Sequence, residues 1–278
     1  MPCGKSRWVT EYSSKVYGFY LIDNLLFDED SKKFKPIASK NENGILDWVS
    51  GDYGKSYIDS YTIEYLKNNY GLIGFDIIKG LVSDEEMETK LLFGKYISIF
   101  YDEKARQDYL KDNGNSDYNP ALRETIKLYL NALTGKLVEN PSLHFTLYKV
   151  KDIENTLVSE IIKTDNPIKL GEINVVKNFN ENKYNEWIIA GVMVYSYSKR
   201  LLFEYIKQLP RDSDDVIHIE TDGIYFDARL IETFEYNLSN YEGEYPCKLG
   251  SDLGNLDIEK LTRTKESNIC ASIRVRIS

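Results

Sequence analysis

The sequence predicts an α+β protein in which antiparallel strands pack with helices. Residues 216–226 alternate apolar and polar side chains around an Asp-Gly pair, which is typical of a β-hairpin. Residues 84–112 and 120–137 instead carry apolar residues at helical spacing. Other runs are rich in β-branched and aromatic residues and predict further strands. Strands and helices in separate parts of one chain indicate the α+β class.

The first part of the chain predicts strands and a short helix. Residues 17–38 predict two strands around an acidic turn at residues 28–31, and residues 41–54 predict a loop. Residues 60–71 begin with a capping serine and end in Asn-Asn-Tyr-Gly, which indicates a short helix. Residues 72–82 predict the strand that follows it.

The middle of the chain predicts a helical hairpin. Residues 84–112 begin with acidic residues and end with basic ones, an order that suits the helix dipole. A second helix is expected to start at Asn119-Pro120, a capping residue followed by proline at the first helical position. Residues 143–176 predict short strands and loops, and residues 185–206 predict a helix that lies under a sheet.

The composition is that of a globular protein, with 42% hydrophobic and 28% charged residues among 278. Three widely spaced cysteines predict neither a disulfide framework nor a zinc site. The longest apolar run, residues 187–195, is about half of a membrane helix, so no membrane partner is expected. A net charge of −9 argues only weakly against binding polyanions, because a cleft can be basic within an acidic protein. The opening MPCGKSRWV indicates that the chain begins within a domain.

Two carboxylates flank the predicted turn of the hairpin. Glu220 and Asp222 stand on either side of Thr221, directly before Gly223. Most Asp-Gly hairpins do no chemistry, because Gly and Asp are chosen there for their backbone conformation. The alternative is that the two carboxylates form the tip of a metal site.

A polar stripe follows the second helix of the helical hairpin. Arg123, Lys127 and Asn131 recur at i, i+4 and i+8, with Thr134 and Gly135 just beyond. Arg can fork onto phosphate oxygens, Lys adds a point charge, and Asn can orient a sugar or base. The alternative is an ordinary solvated helix face. The opposite face is apolar: Ile126, Leu130 and Leu133.

The order and separation of these two patterns resemble family B DNA polymerases. That family carries K-x-x-x-N-S-x-Y-G on its fingers and Y-x-D-T-D-S in its palm. Here the corresponding positions are Lys127, Asn131 and Gly135, followed by Glu220 and Asp222. The two connected helices resemble the fingers of the protein-primed branch, the branch of linear plasmids and viruses. The resemblance covers roughly residues 1–262.

The resemblance implies a fragment of a DNA-directed DNA polymerase that adds nucleotides to a primer 3′-hydroxyl by a two-metal mechanism with Mg²⁺. It implies an antiparallel palm sheet and a two-helix fingers hairpin. Asp222, with Glu220 assisting, would bind the metal. The residues implied for the nucleotide site are Arg123, Lys127, Asn131, Thr134 and Gly135. The implied partners are primer-template DNA, dNTPs and a terminal priming protein.

The resemblance also divides the chain into four segments. Residues 1–83 correspond to a palm-proximal insertion that contacts the priming protein or template, and residues 84–139 to the fingers. Residues 140–262 hold a second insertion and the palm with its metal hairpin. Residues 263–278 form a basic tail, which includes Arg274 and Arg276 and is expected to be unstructured.

Several positions depart from the family pattern. Glu220 replaces an Asp and moves its carboxylate by about 1 Å or more, which strains metal geometry. Thr134 replaces a Tyr expected to pack beneath the sugar. The 278 residues contain no D-x-x-S-L-Y-P, the source of a second metal carboxylate, so the isolated chain is expected to be inactive. The rival hypothesis is therefore an inactive remnant that at most binds nucleotide or nucleic acid.

Three further residues are expected to be structural. His144 and His218 have no partner pattern that indicates a metal or catalytic role. Tyr225, which follows the hairpin turn, is expected to lie in the core.

Overall fold

A computed structural model gives the fold. It describes residues 1–29, 35–37, 39–40, 46–47, 53–138, 145–150, 168–170, 173–179, 188–220, 223–250, 255–263 and 269–275. The chain divides into two compact units, one formed by Met1–Asn131 with Met193–Ser278 and the other by Ala132–Val192. Within the described ranges, no helix is long and apolar enough to cross a membrane.

The elements alternate irregularly along the chain, as the α+β prediction requires. The helices are α1 (Ser60–Tyr70), α2 (Thr89–Asp112), α3 (Pro120–Leu137), α4 (Ile188–Ile206) and α5 (Ile231–Ser239). The strands are β1 (Pro2–Cys3), β2 (Arg7–Val9), β3 (Tyr17–Phe27), β4 (Ser39–Lys40), β5 (Leu46–Asp47), β6 (Ser56–Asp59), β7 (Leu72–Ser83), β8 (Glu85–Glu86), β9 (Phe145–Val150), β10 (Ile168–Leu170), β11 (Ile173–Phe179), β12 (Val216–Glu220), β13 (Gly223–Asp227), β14 (Leu256–Arg263) and β15 (Ile269–Val275). The pairs that these described strands form with one another are antiparallel, which confirms the predicted class.

The first unit contains a four-stranded sheet in the order β2-β7-β3-β6. Its inner face carries Tyr20 and Ile22, whose side chains are completely buried. Gly80 lies opposite Tyr20, and a Cβ at Gly80 would come within 2.6 Å of the tyrosine ring. The ring therefore requires glycine at this point of the neighbouring strand.

Part of the prediction for this sheet is wrong. Strand β3 confirms the first predicted strand of residues 17–38, but Lys35–Ile37 are not in a strand, and β3 pairs with β6 and β7 instead. Residues 35–37 are buried, and the Lys35 ammonium lies 4.5 Å from the Phe27 ring centre. The segment thus packs its side chains against the core rather than extending along β3. In the predicted loop of residues 41–54, β5 pairs with β4.

Helix α1 confirms the predicted short helix, with one change at its start. The capping residue is Asp59, whose carboxylate accepts a hydrogen bond from the Thr62 backbone N–H at 3.1 Å. The predicted cap, Ser60, is the first helical residue, and its Oγ accepts a hydrogen bond from the Gly18 N–H at 3.2 Å. Gly71 ends the helix with φ 64°, the left-handed conformation that favours glycine.

A second sheet of the first unit has the order β12-β13-β15-β14. Strand β15 lies in its interior, paired with β13 on one side and β14 on the other. The expectation of an unstructured tail is therefore wrong for Ile269–Val275. These residues are rich in Ile and Val, and they complete the backbone hydrogen bonding of two strands that would otherwise have open edges.

Both sheets contribute to one hydrophobic core with the second half of α4, which confirms the predicted helix of residues 185–206. Leu201, Phe203 and Tyr205 of α4 are buried in this core. On the second sheet, Phe226 packs against Phe234 of α5, with ring centres 5.1 Å apart. The core thus fixes the inner side of the β12-β13 hairpin.

Helices α2 and α3 form the predicted helical hairpin. The Asn119 side chain caps α3 by accepting a hydrogen bond from the Leu122 N–H at 3.0 Å. Buried Gln107 of α2 accepts a hydrogen bond from the Asn119 N–H at 2.8 Å. The predicted start of α2 at residue 84 is wrong, because Glu85–Glu86 pair as β8 with β1 and the helix begins at Thr89.

The second unit contains a three-stranded sheet in the order β10-β11-β9, together with the end of α3 and the start of α4. Gly191 of α4 passes close to the end of α3. A Cβ at Gly191 would come within 2.5 Å of Val138 and 2.8 Å of Leu137. Glycine therefore permits this close approach of the chain. The segmentation implied by the family resemblance stays a prediction.

Candidate nucleotide and metal site

Helix α3 presents the polar stripe to solvent. Ile126 and Leu130 are only 3% and 4% exposed, whereas Lys127 and Asn131 are exposed. The burial of one face confirms the predicted apolar side of the helix. Lys127 and Asn131 lie on the exposed side of the helix, whereas Arg123 is partly buried, with its side chain 20% exposed.

Arg123 is not a free cation. Its Nε donates to Asp108 Oδ1 at 2.5 Å and its Nη1 donates to Glu124 Oε1 at 2.8 Å. The hydrogen bond to Asp108 is the main cause that raises the pKa of Arg123. Lys104 lies one turn before Asp108 on α2 and approaches the same carboxylate at 3.4 Å.

Asp108 was missed by sequence reasoning. Burial opposes its ionisation, but the hydrogen bond from Arg123 and the charges of Lys104 and Arg123 outweigh burial and lower the pKa of Asp108. The carboxylate is therefore ionised at neutral pH and neutralises one end of the stripe. The signal that could have found it is an acidic residue near the end of the first predicted helix, opposite the start of the second.

Lys127 differs from Arg123 in its surroundings. Within the part of the chain that the structure describes, Lys127 forms no ion pair and no hydrogen bond through its side chain. Thr134 is half-buried and Gly135 is exposed, and both lie in the last turns of α3, within the second unit. A Cβ at Gly135 would meet nothing within 4 Å, so this conformation imposes no steric need for glycine there.

The β12-β13 hairpin turns one residue earlier than the Asp-Gly signal predicts. Glu220 pairs with Gly223, so the loop consists of Thr221 and Asp222 and is shifted by one residue from the predicted Asp-Gly turn. Gly223 belongs to the strand because it also pairs with Arg274 of β15. Asp222 and Thr221 lie outside the described residues, and so does the side chain of Glu220.

Register places Glu220 on the side of the sheet away from the core. Ile224 and Phe226 of β13 are completely buried, so the alternate residues Gly223, Tyr225 and Asp227 belong to the opposite face. Directly paired residues share a face, and Glu220 therefore takes a position on that outer face. The same row continues to Arg274 and Asp257.

The prediction for Tyr225, which belongs to this outer face, is wrong. Tyr225 is half-buried on the outer face and is not in the core. Its ring lies 5.5 Å from the ring of exposed His218, its cross-strand partner. The assignment of His218 to a structural role stays a prediction. His144 lies outside the described residues.

The described residues do not by themselves assemble a metal cage. Among them, no group of three or more His, Cys, Asp or Glu side chains could hold an ion. The two predicted carboxylates remain one residue apart across Thr221. Cys3 and Cys247 are free cysteines, the first half-buried and the second buried.

A cleft of about 480 Å³ lies at the other end of the hairpin, away from its turn. Two ion pairs line this cleft. Arg211 Nη2 lies 2.6 Å from Asp215 Oδ1, and Arg229 pairs with Asp227. The cleft contains none of the predicted site residues. Four of its five charged side chains form these two ion pairs, and Asp214 is the fifth.

Comparisons with known proteins give structural likeness alone. No family model matches the chain, and no curated protein matches it. The fold is similar to Phi29 DNA polymerase in its ternary complex with primer-template DNA and incoming nucleotides, in its post-translocation binary complex with primer-template DNA, and in an orthorhombic crystal form. Each is 16% identical, with TM-scores of 0.44, 0.45 and 0.46, and 81% of this chain is covered. The chain spans 34–35% of the length of those polymerases.

Proposed function

We propose that the chain is the palm and fingers portion of a DNA-directed DNA polymerase of the protein-primed family B type. In the whole enzyme this portion would take part in transfer of a deoxynucleotide to a primer 3′-hydroxyl during DNA replication. Its partners would be primer-template DNA, dNTPs and a terminal priming protein. The proposal depends on the resemblance of two motifs, each of which occupies a suitable element of the fold.

The observation that carries the proposal is the position of the Lys127 motif. Lys127 and Asn131 are exposed at i and i+4 on α3, while Ile126 and Leu130 anchor the opposite face. A rigid helix with one buried face can hold a cation and an amide at fixed spacing. Such an arrangement suits a ligand that carries phosphates at one end and a sugar and base at the other.

The hairpin motif supports the same conclusion. Glu220 of β12 pairs with Gly223 of β13, so Asp222 lies in the short stretch of sequence between two paired strands, and β15 pairs with β13 on its other side. A carboxylate at the turn of a supported hairpin is held on a rigid element, as a reacting centre requires. The outer face of the sheet, away from the core, is the side on which DNA and nucleotide would lie.

The two carboxylates fit Mg²⁺ in their chemistry. Mg²⁺ prefers oxygen ligands and is usually bound by one or two carboxylates together with substrate phosphates and water. Asp222 and Glu220 would supply those carboxylates. When bound, Mg²⁺ would neutralise charge on the triphosphate and leaving group. Lys127 and Arg123 would orient the phosphates, and Asn131 with Gly135 would shape the space for the nucleoside.

A second candidate function is binding without catalysis. Among the described residues, no group of three or more His, Cys, Asp or Glu side chains could hold an ion, and Arg123 is neutralised by Asp108 and Glu124. A chain of this kind would bind a nucleotide or nucleic acid without catalysing nucleotidyl transfer. Thr134, which stands where the family has Tyr, also weakens selection of the sugar under this hypothesis.

Two measurements test the proposal. Titration of Mg-dNTP into the 278-residue chain should give saturable binding that Lys127→Ala weakens by about 1.5–3 kcal/mol, the range of a charge-assisted contact. Lys111→Ala is the matched control, since Lys111 is an exposed lysine on α2. Equal affinities for wild type and Lys127→Ala would remove the triphosphate role.

The second measurement separates catalysis from binding. The isolated chain is expected to show no primer extension with Mg²⁺ and dNTPs, because a second metal carboxylate motif is not among its residues. Extension that disappears in Asp222→Ala would instead show that these 278 residues suffice for catalysis. Binding without extension supports the second candidate for the isolated chain.

A further inference from the structure

We propose that Asp108 is hydrogen-bonded in the free protein to the Arg123 guanidinium, the group that would bind phosphate. This ion pair must break when a triphosphate binds. Asp108 would then be a positioning residue that sets the affinity of the nucleotide site. This inference rests on the proposed function, because it assumes that Arg123 is one of the groups that contact the triphosphate.

The ion pair has the geometry of a contact that a phosphate would replace. Asp108 Oδ1 takes the Nε–H of Arg123 at 2.5 Å, and Asp108 Oδ2 lies 3.4 Å from Lys104 Nζ. One carboxylate thus binds two cations from two helices. The side chains of Arg123 and Asp108 are 20% and 28% exposed, so the pair is partly shielded and also open to an incoming anion.

The helical hairpin does not depend on this pair alone. At the connection, buried Gln107 accepts a hydrogen bond from the Asn119 N–H at 2.8 Å. Farther along, the Tyr96 hydroxyl donates to the Tyr129 carbonyl at 3.0 Å, and Phe100 packs on the Tyr129 ring with centres 5.4 Å apart. Along α3, these contacts to α2 lie on either side of Arg123. The hairpin can therefore keep its form while Arg123 changes partner.

Charge determines whether Arg123 pairs with Asp108 or with a bound triphosphate. A triphosphate carries several negative charges and offers Arg123 two phosphate oxygens at once, whereas Asp108 presents one oxygen to Arg123. While Asp108 remains ionised, however, its negative charge also repels an approaching triphosphate. The Asp108 carboxylate therefore lowers the affinity for a triphosphate in two ways. It occupies the Arg123 guanidinium, and it places a negative charge where the negative triphosphate would bind.

The test compares Asp108→Asn with Asp102→Asn in the full 278-residue chain. Both changes remove one negative charge from α2, and Asp102 is exposed and one and a half turns from Asp108. Binding of Mg-dATP is measured by titration. Asp108→Asn should bind roughly tenfold tighter or more, the effect of freeing one charge-assisted contact, and Asp102→Asn should bind like wild type.

The outcomes separate this inference from the proposed function. Loss of affinity in Lys127→Ala with no gain in Asp108→Asn overturns the role of Asp108 and leaves the nucleotide site standing. An equal gain in both asparagine variants reduces the effect to net charge and overturns the inference. Absence of binding in wild type and Asp108→Asn alike overturns both proposals.

A measurement on the wild-type chain guards against misfolding of the variant. Arg123 and Arg106 each donate their Nε–H to a carboxylate, Asp108 at 2.5 Å and Glu103 at 2.8 Å. On titration with inorganic tripolyphosphate, the ¹⁵Nε–H signal of Arg123 should shift and that of Arg106 should stay. If tripolyphosphate binds and the Arg123 signal does not move, Asp108 keeps its partner and the inference is overturned.

Discussion

Replacement of Asp59 by Ala should cost the protein about 3–5 kcal/mol of stability, because Asp59 is the counter-ion of a buried arginine. Arg200 Nη1 lies 3.1 Å from Asp59 Oδ1, and both side chains are only 5% exposed. Asp59 also caps α1 through the Thr62 N–H at 3.1 Å. Loss of a cap alone costs about 1 kcal/mol, so most of the effect comes from the charge left on Arg200.

The assay is equilibrium unfolding in urea followed by circular dichroism. Asp84→Ala is the matched control, because Arg7–Asp84 is also an Arg–Asp pair at 2.7 Å but its side chains are 50% and 67% exposed. An exposed pair contributes about 0–1 kcal/mol, so the control should unfold nearly as wild type does.

A double variant tests the cause. Asp59→Ala with Arg200→Met removes the stranded charge and should recover part of the loss, since replacing a buried pair by apolar residues is often neutral. A loss below about 1 kcal/mol in Asp59→Ala would refute the reasoning. It would mean that the hydrogen bonds from Arg200 to Thr62, Ser196 and Tyr245 are enough to satisfy the guanidinium.

Three further predictions concern other parts of the fold. Truncation after Arg263 removes β15, so the β12-β13 hairpin should no longer unfold cooperatively and the amides of residues 223–227 should lose protection from hydrogen exchange. Unchanged protection there would show that β13 does not need β15. Burial raises the pKa of the Cys247 thiol to about 12, so iodoacetamide at pH 8 should label Cys247 only after unfolding, and rapid native labelling would contradict this. Burial likewise raises the pKa of Tyr205 to about 12, so the folded state loses stability as pH rises from about 10 towards 12. Absorbance at 295 nm should show a late-titrating tyrosine in wild type that is missing in Tyr205→Phe.

Local signals predicted the elements whose determinants are close together in sequence. Asn119-Pro120 marks the start of α3 and the Asn119 side chain does cap it, because a cap acts only on the next turn. Gly71 ends α1 for the same reason, since its left-handed conformation is a property of one residue. The apolar face of α3 followed from 3.6-residue periodicity, and burial of Ile126 and Leu130 confirms it.

Partners distant in sequence were not predictable in this way. Glu85–Glu86 suit the first turn of a helix, yet they pair with Pro2–Cys3. The tie between Asp108 and Arg123 depends on how α2 and α3 meet, which periodicity does not specify. Strand β15 looked like a tail because the sequence between it and β14, residues 264–268, contains no Gly or Pro turn signal, and its other neighbour, β13, is distant in sequence.

The interior position of β15 has a consequence for the order of events during synthesis. Gly223 pairs with Arg274, so the hairpin that holds Glu220 gains its second neighbour only after about fifty more residues have left the ribosome. Until then β13 has an unpaired edge, and contacts of such long sequence separation form slowly. The nascent chain must therefore carry an exposed strand edge beside its proposed catalytic turn, which makes this sheet the expected point of chaperone binding or misassembly.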